Sequence, residues 1–261
     1  DLNDINMIDP FHLEAYGETT VNYNRDVEIF PVLNTIFEKI YGESPYKSPT
    51  DMGVNMAGNC ICDDEACREA SKQEIIRRYF DALNALAKGS TSEKEAQKIE
   101  LLMNMAGITV TDRKVVIKAL ERAKETDGPA AALELRDGRI ITGKTTNLLG
   151  ASAALLLNVL KVLAGIDHET HIISPESIEP IQKLKVDYLK SKNPRLHTDE
   201  VLIALSASAA TNPQARLALS QLPELAGCQA HTSVMLSDVD IKIFKKLEVQ
   251  LTSEAVYEHA L

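Results

Sequence analysis

Eight residues match the spacing of a phosphate-cradling loop: Gly138-Arg-Ile-Ile-Thr-Gly143-Lys144-Thr145 follows G-x4-G-K-[ST]. In such a loop, backbone N–H groups wrap the phosphates, the lysine neutralises them and the hydroxyl binds magnesium. The context argues against that use. Arg-Ile-Ile-Thr is itself strand-like, Gly138 reads as the second residue of an Asp137-Gly138 hairpin turn, and no apolar strand ending in Asp supplies a second magnesium ligand. A weaker form survives, in which Gly143-Lys144-Thr145-Thr146 leads from a strand into a helix whose free N–H groups attract a small phosphate or carboxylate. The competing reading is that Gly143 turns the chain, Thr145 or Thr146 caps the helix, and Lys144 is solvated.

A second set of candidates lies in Glu43–Asn59, a long polar connection between two strong helices. Connections of that length are usually functional or disordered. Lys47, Ser48, Thr50, Asp51, Asn55 and Asn59 offer groups suited to a polar ligand, and Met52, Val54 and Met56 offer anchors. Upstream, His12, Glu14, Asn22, Asn24 and Arg25 lie in a polar-aromatic stretch that could line the same cleft or dock as a surface arm. The ligand-binding set is therefore Arg25, Lys47, Ser48, Thr50, Asp51, Asn55, Asn59, Lys144 and Thr145. No cofactor follows from these residues.

Other patterns carry less. Cys60, Cys62 and Cys67 lack the paired C-x2-C spacing and the fourth ligand of an ordinary zinc site, and no metal is expected; reduced thiols are. His168-Glu-Thr-His171 lacks the i, i+4 histidine spacing of the H-E-x-x-H zinc pair. Ser152 sits in an apolar helix without the second glycine of a nucleophile elbow. The zinc ligands of nucleoside deaminases are missing. His231 reads as a satisfied structural histidine.

The elements that must hold these residues change character along the chain. Residues 27–41, 64–88, 92–105 and 112–125 show helical periodicity, with Gly89 and Gly107 as stops and Thr111 as a cap. From residue 127 the pattern alternates: a hairpin at 131–135 and 139–142, a helix at 149–163, a strand at 170–173, and a helix at 178–190. A helical stretch follows at 198–222, broken near Pro213, then a strand at 230–236, a helix at 239–247 and a strand at 249–252. The fold class is α/β: a helical N-terminal region, residues 1–126, then an α/β domain, residues 127–261, with a mixed, partly parallel sheet covered by helices.

Composition narrows the partners. The 261 residues are 44% hydrophobic and 25% charged, and 38 acidic against 28 basic residues give a formal charge of −10. That field repels nucleic acid, and no basic stripe reverses it. No stretch approaches a membrane span and no signal peptide is visible, so a cytoplasmic location is expected. The first residue is Asp, which reads as the loss of an upstream part.

The strings TTVNYNRDVEIFPVL, SPYKSPTDMGVNMAG, DDEACREASKQEIIRRY, GRIITGKTTNLLGASAALLLN and KNPRLHTDEVLIALSASAATNP resemble a bacterial group, domain-of-unknown-function family 1846, over nearly the whole chain. The resemblance implies that this chain is the C-terminal portion, lacking an N-terminal half similar to a nucleotide-binding α/β domain. It implies no activity, because the family has none established. Cys62 and Cys67 replace aliphatic residues of the relatives, and Glu248 stands where a glycine is expected. Two function classes remain open: an enzyme portion acting on a small anionic or nucleotide-like ligand, and a non-catalytic module that packs on a partner subunit, including another copy, or on the missing domain.

Overall fold

A computed structural model describes residue 32, residues 35–44 and residues 64–258. The ligand-binding candidates Arg25, Lys47, Ser48, Thr50, Asp51, Asn55 and Asn59 lie outside them. The chain divides into two compact units, Asp1–Arg113 and Lys114–Leu261.

In the first unit, residues 35–41 are helical. Helix α1 spans Asp64–Ala87 and α2 spans Glu93–Ala106. Ile75, Ile76 and Phe80 of α1 are buried. Gly107, at φ 65°, ends α2 by donating its N–H toward Asn104 and Met103 carbonyls, the left-handed stop that costs glycine least. Arg113 is 1% exposed, and its guanidinium donates to the Gln73 side chain at 3.1 Å.

The second unit is built on a sheet. Helix α3 spans Lys114–Thr126, β1 Ala130–Glu134 and β2 Ile140–Lys144; α4 spans Ala151–Leu163 and α5 Pro175–Lys183, which runs into a π-helical turn at Leu184–Tyr188. Then come α6 at Thr198–Ser208, α7 at Pro213–Leu219, β3 at Gln229–Thr232, α8 at Asp238–Lys246 and β4 at Gln250–Ser253. The strand order is β2-β1-β3-β4. β1 is antiparallel to both β2 and β3, and β3 is parallel to β4. The expected mixed, partly parallel α/β sheet is present.

Alternation along β1 explains the layering. Ala131 and Leu133 enter the large core with Leu155, Leu156 and Val159 of α4, whereas Ala132 packs with Val115 and Ala119 of α3. The sheet is thus covered on both faces, and small alanines let both helices come close. Asp137 and Gly138 turn the hairpin: Gly138 has φ 82° and the Asp137 carboxylate accepts from Arg139 N at 3.0 Å.

Three expectations need correction. Residues 170–173 form no strand; Ile172 and Ile173 are instead core anchors, 2% and 6% exposed, on an irregular segment. Thr111 does not cap the third helix. Val110–Asp112 is a 3-10 turn in which Asp112 accepts from Thr109 N at 2.7 Å, and α3 starts at Lys114. Gly143 is not a turn residue. It lies inside β2, and a Cβ there would stand 2.2 Å from Leu155 N and 2.9 Å from Ala151 O. That glycine is required because the α4 backbone rests on the strand.

Candidate functional site

The phosphate-loop pattern is absorbed by the hairpin. Residues 140–144 pair with 130–134 along β1, so backbone groups that would cradle phosphate belong to a strand ladder. Lys144 is exposed. Thr145 N donates to Pro129 O at 2.8 Å, while its hydroxyl is buried without a hydrogen-bond partner among the described residues. Thr146 holds the following turn: its Oγ1 accepts from Leu148 N at 3.2 Å and Leu149 N at 3.0 Å. Gly150, not either threonine, is the N-cap of α4.

The connection from β2 to α4 has a neighbour that the sequence does not announce. Leu196 bridges Leu149 in parallel, donates its N–H to Leu148 O at 2.9 Å and accepts from Gly150 N at 3.2 Å. The residue after Leu196 is His197, the N-cap of α6. The starts of α4 and α6 are therefore held side by side by backbone hydrogen bonds. The positive ends of both helix dipoles fall in this region.

His197 is bound to a third helix start. Its Nδ1 is 2.9 Å from Asp240 Oδ2, in the first turn of α8. The same oxygen accepts from Ser237 Oγ at 2.7 Å, and Asp240 Oδ1 accepts from Thr198 N at 2.9 Å and Thr198 Oγ1 at 2.8 Å. Four donors converge on a carboxylate whose side chain is 4% exposed. Burial opposes its ionisation, but the hydrogen bonds from His197, Thr198 and Ser237 prevail and hold its pKa at about 2. The reciprocal effect raises His197: the Asp240 hydrogen bond favours imidazolium, against partial burial. Nearby, Glu200 Oε2 accepts from His197 N at 2.8 Å and from the buried Lys185 ammonium at 2.7 Å. Lys185 also donates to Arg195 O.

The chemistry of this arrangement follows from which nitrogen is tied. Asp240 takes Nδ1, and about a third of the His197 side chain, 32%, is exposed. A carboxylate behind one imidazole nitrogen fixes the tautomer that offers a lone pair at the other. Ser237 supplies the third member of a triad by type but not by geometry. Its Oγ stands 3.4 Å from Nδ1, on the Asp240 side, so it is no nucleophile for a base at Nε2.

His231 is the expected structural histidine: fully buried, with Nδ1 2.8 Å from Thr252 Oγ1 and Nε2 3.2 Å from Glu254. Cys228 is buried and unbridged, and burial raises its thiol pKa. Among the described residues no cluster of His, Cys, Asp or Glu could hold a metal ion, and no helix is long and apolar enough to cross a membrane.

A chain with an α/β sheet covered on both faces and an aspartate-backed histidine at converging helix starts defines a class, not a reaction. Its lineage is specific. The C-terminal model of the domain-of-unknown-function family DUF1846 matches residues 111–261, and the N-terminal model matches residues 1–107. The chain belongs to this family. It is 59% identical to a UPF0371 protein of Corynebacterium urealyticum, over 98% of this chain and 52% of that relative. It is 54% identical to one of Streptococcus thermophilus, over 99% and 52% respectively. The chain thus spans about half the length of these curated relatives. The expectation that it holds the C-terminal portion alone is corrected by the match of the N-terminal model. These relatives carry names without an activity.

Proposed function

We propose that this chain contributes an acid–base centre, His197 backed by Asp240, to an enzyme acting on a small anionic substrate. The supporting observation is the 2.9 Å contact between His197 Nδ1 and a nearly fully buried carboxylate, with the His197 side chain itself partly exposed. His197 Nε2 takes a proton from an attacking water or substrate hydroxyl. Asp240 stabilises the imidazolium that forms, as a general base of this type requires. The adjoining starts of α4 and α6 favour negative charge on the substrate, and Lys144 and Thr145, at the end of β2, lead into the α4 start.

The test uses the 261-residue chain with p-nitrophenyl phosphate and ATP as probes, reading p-nitrophenol and inorganic phosphate. The expected result is turnover of at least one probe that rises with pH through the raised histidine pKa. His197→Gln lowers it about a hundredfold with an unchanged melting temperature. Turnover that His197→Gln leaves intact, or none with either probe, overturns the reading.

A further inference from the structure

We propose that Lys185 and Glu200 are positioning residues for His197, an ion pair that fixes where the imidazole stands; this rests on His197 being the acid–base centre. Glu200 Oε2 accepts from His197 N at 2.8 Å and from Lys185 Nζ at 2.7 Å, and Lys185 donates again to Arg195 O. Between these anchors, Leu196 N donates to Leu148 O at 2.9 Å and Leu196 O accepts from Gly150 N at 3.2 Å. Each backbone polar group from the Arg195 carbonyl to the His197 N–H is therefore held, and the backbone that carries the imidazole is fixed. A π-helical turn at Leu184–Tyr188 supplies the lysine. Leu189 N donates to Leu184 O at 3.0 Å to close that wide turn, and Lys185 is its buried residue, 7% exposed, between exposed Leu184 and Val186. Single wide turns of this kind recur at functional sites.

Holding the fold accounts for only part of this pair. At the start of α6, the His197 N–H needs only an acceptor from residue 200, which an amide supplies as well as a carboxylate. A mostly buried ion pair adds little net stability over an apolar pair of the same volume. What the two charges add is a balanced field at the ring. The Asp240 hydrogen bond is the chief cause that raises the His197 pKa, and burial opposes it; of the charges, Asp240 of α8 and Glu200 of α6 raise it and Lys185 of the turn lowers it. Lys185 thus offsets Glu200, so a carboxylate grips the His197 backbone without a second negative charge that holds the ring as imidazolium. A general base must be neutral before it takes a proton.

The experiment follows the His197 titration by proton–nitrogen correlation in the 261-residue chain, its resonance assigned by loss in His197→Gln. Glu200→Gln keeps an acceptor for His197 N and leaves Lys185 uncompensated, so the His197 pKa falls. Lys185→Met leaves Glu200 uncompensated, so the same pKa rises. The double substitution returns it toward the wild-type value, a cancellation of opposite signs that loosened packing does not produce. With a probe that the wild-type chain turns over, each single variant lowers kcat about tenfold at a nearly unchanged KM. A His197 pKa that ignores both substitutions or moves the same way in both, or a kcat that neither lowers, overturns the inference. Where Lys185→Met fails to fold, Glu200→Gln decides alone: a lowered His197 pKa supports the pairing, and an unchanged or raised one overturns it. A chain that turns over neither probe overturns the acid–base reading, while the titrations separately uphold or overturn the hold of the pair on His197.

Discussion

Asp240 and His197, 43 residues apart in sequence, meet at 2.9 Å and lock the first turn of α8 to the start of α6. Asp240 does so with four donors, which makes it both a helix clamp and the group that sets the state of the imidazole.

Asp240→Asn removes the charge while keeping the shape. The amide cannot accept from all four donors, and a protonated His197 loses its counter-ion. Breaking a buried charged pair from one side costs about 3 kcal/mol. The expected outcome is that loss in urea unfolding, with the melting transition of the second unit lowered.

Stability should depend on pH with two opposite signs. Asp240 is depressed from 3.8 to about 2, so its contribution is present above pH 3.8 and is lost as pH falls toward 2; that shift corresponds to about 2 kcal/mol. His197 is raised above 6.5, so its contribution is complete below that value and is lost as pH rises through the higher folded value. Urea midpoints measured from pH 2 to 9 should give a plateau between about pH 4 and 6.5, with the upper decline absent in His197→Gln.

Gly143→Ala should be the costliest single-methyl change in the sheet. The new Cβ would stand 2.2 Å from Leu155 N and 2.5 Å from Leu155 Cα, both backbone, so α4 must lift off β2. A loss of about 3 kcal/mol or more is expected. Lys144→Ala, one residue on and exposed, should stay within about 0.5 kcal/mol. Chemical denaturation of the pair separates a packing role for this glycine from a general fragility of the hairpin.

Glu248→Gly should stabilise. Glu248 has φ 57° after the last turn of α8; its N–H donates to Lys245 O at 3.1 Å and Val249 N donates to Phe244 O at 3.0 Å. This is a Schellman ending with a glutamate in the left-handed position. Relieving that conformation should raise stability by up to about 1 kcal/mol, read as a higher urea midpoint at unchanged slope.

Much of the second unit was legible because its signals are local. Asp137-Gly138 specifies its own turn, Pro213 breaks the long helical stretch, and the short apolar run at 131–135 beside that turn marks a strand. The resemblance placed a glycine at 248, where the backbone is left-handed. Gly143 was misread because its need for hydrogen in place of a side chain arises from α4, which sequence spacing does not bring to it. The irregular course of 170–173 escaped for the same reason: two buried isoleucines look like a strand until the sheet is seen to pass elsewhere. His197 and Asp240 were missed because neither stands in a motif. The available hints were Ser237-x-x-Asp240 as a helix-start pattern and His197 just before Thr198-Asp-Glu, and each reads as capping until the two starts are placed together. Most of the binding set, from Arg25 to Asn59, falls outside the described residues.

The state of the His197 ring tests the centre of the account most directly. Long-range proton–nitrogen correlation on ¹⁵N-histidine-labelled chain, at a pH above the titration of His197, should show the Nδ1–H tautomer with an unprotonated Nε2. Asp240→Asn should abolish that preference. A wild-type ring carrying its proton on Nε2, or one whose tautomer ignores residue 240, would contradict the assignment of His197 as a base.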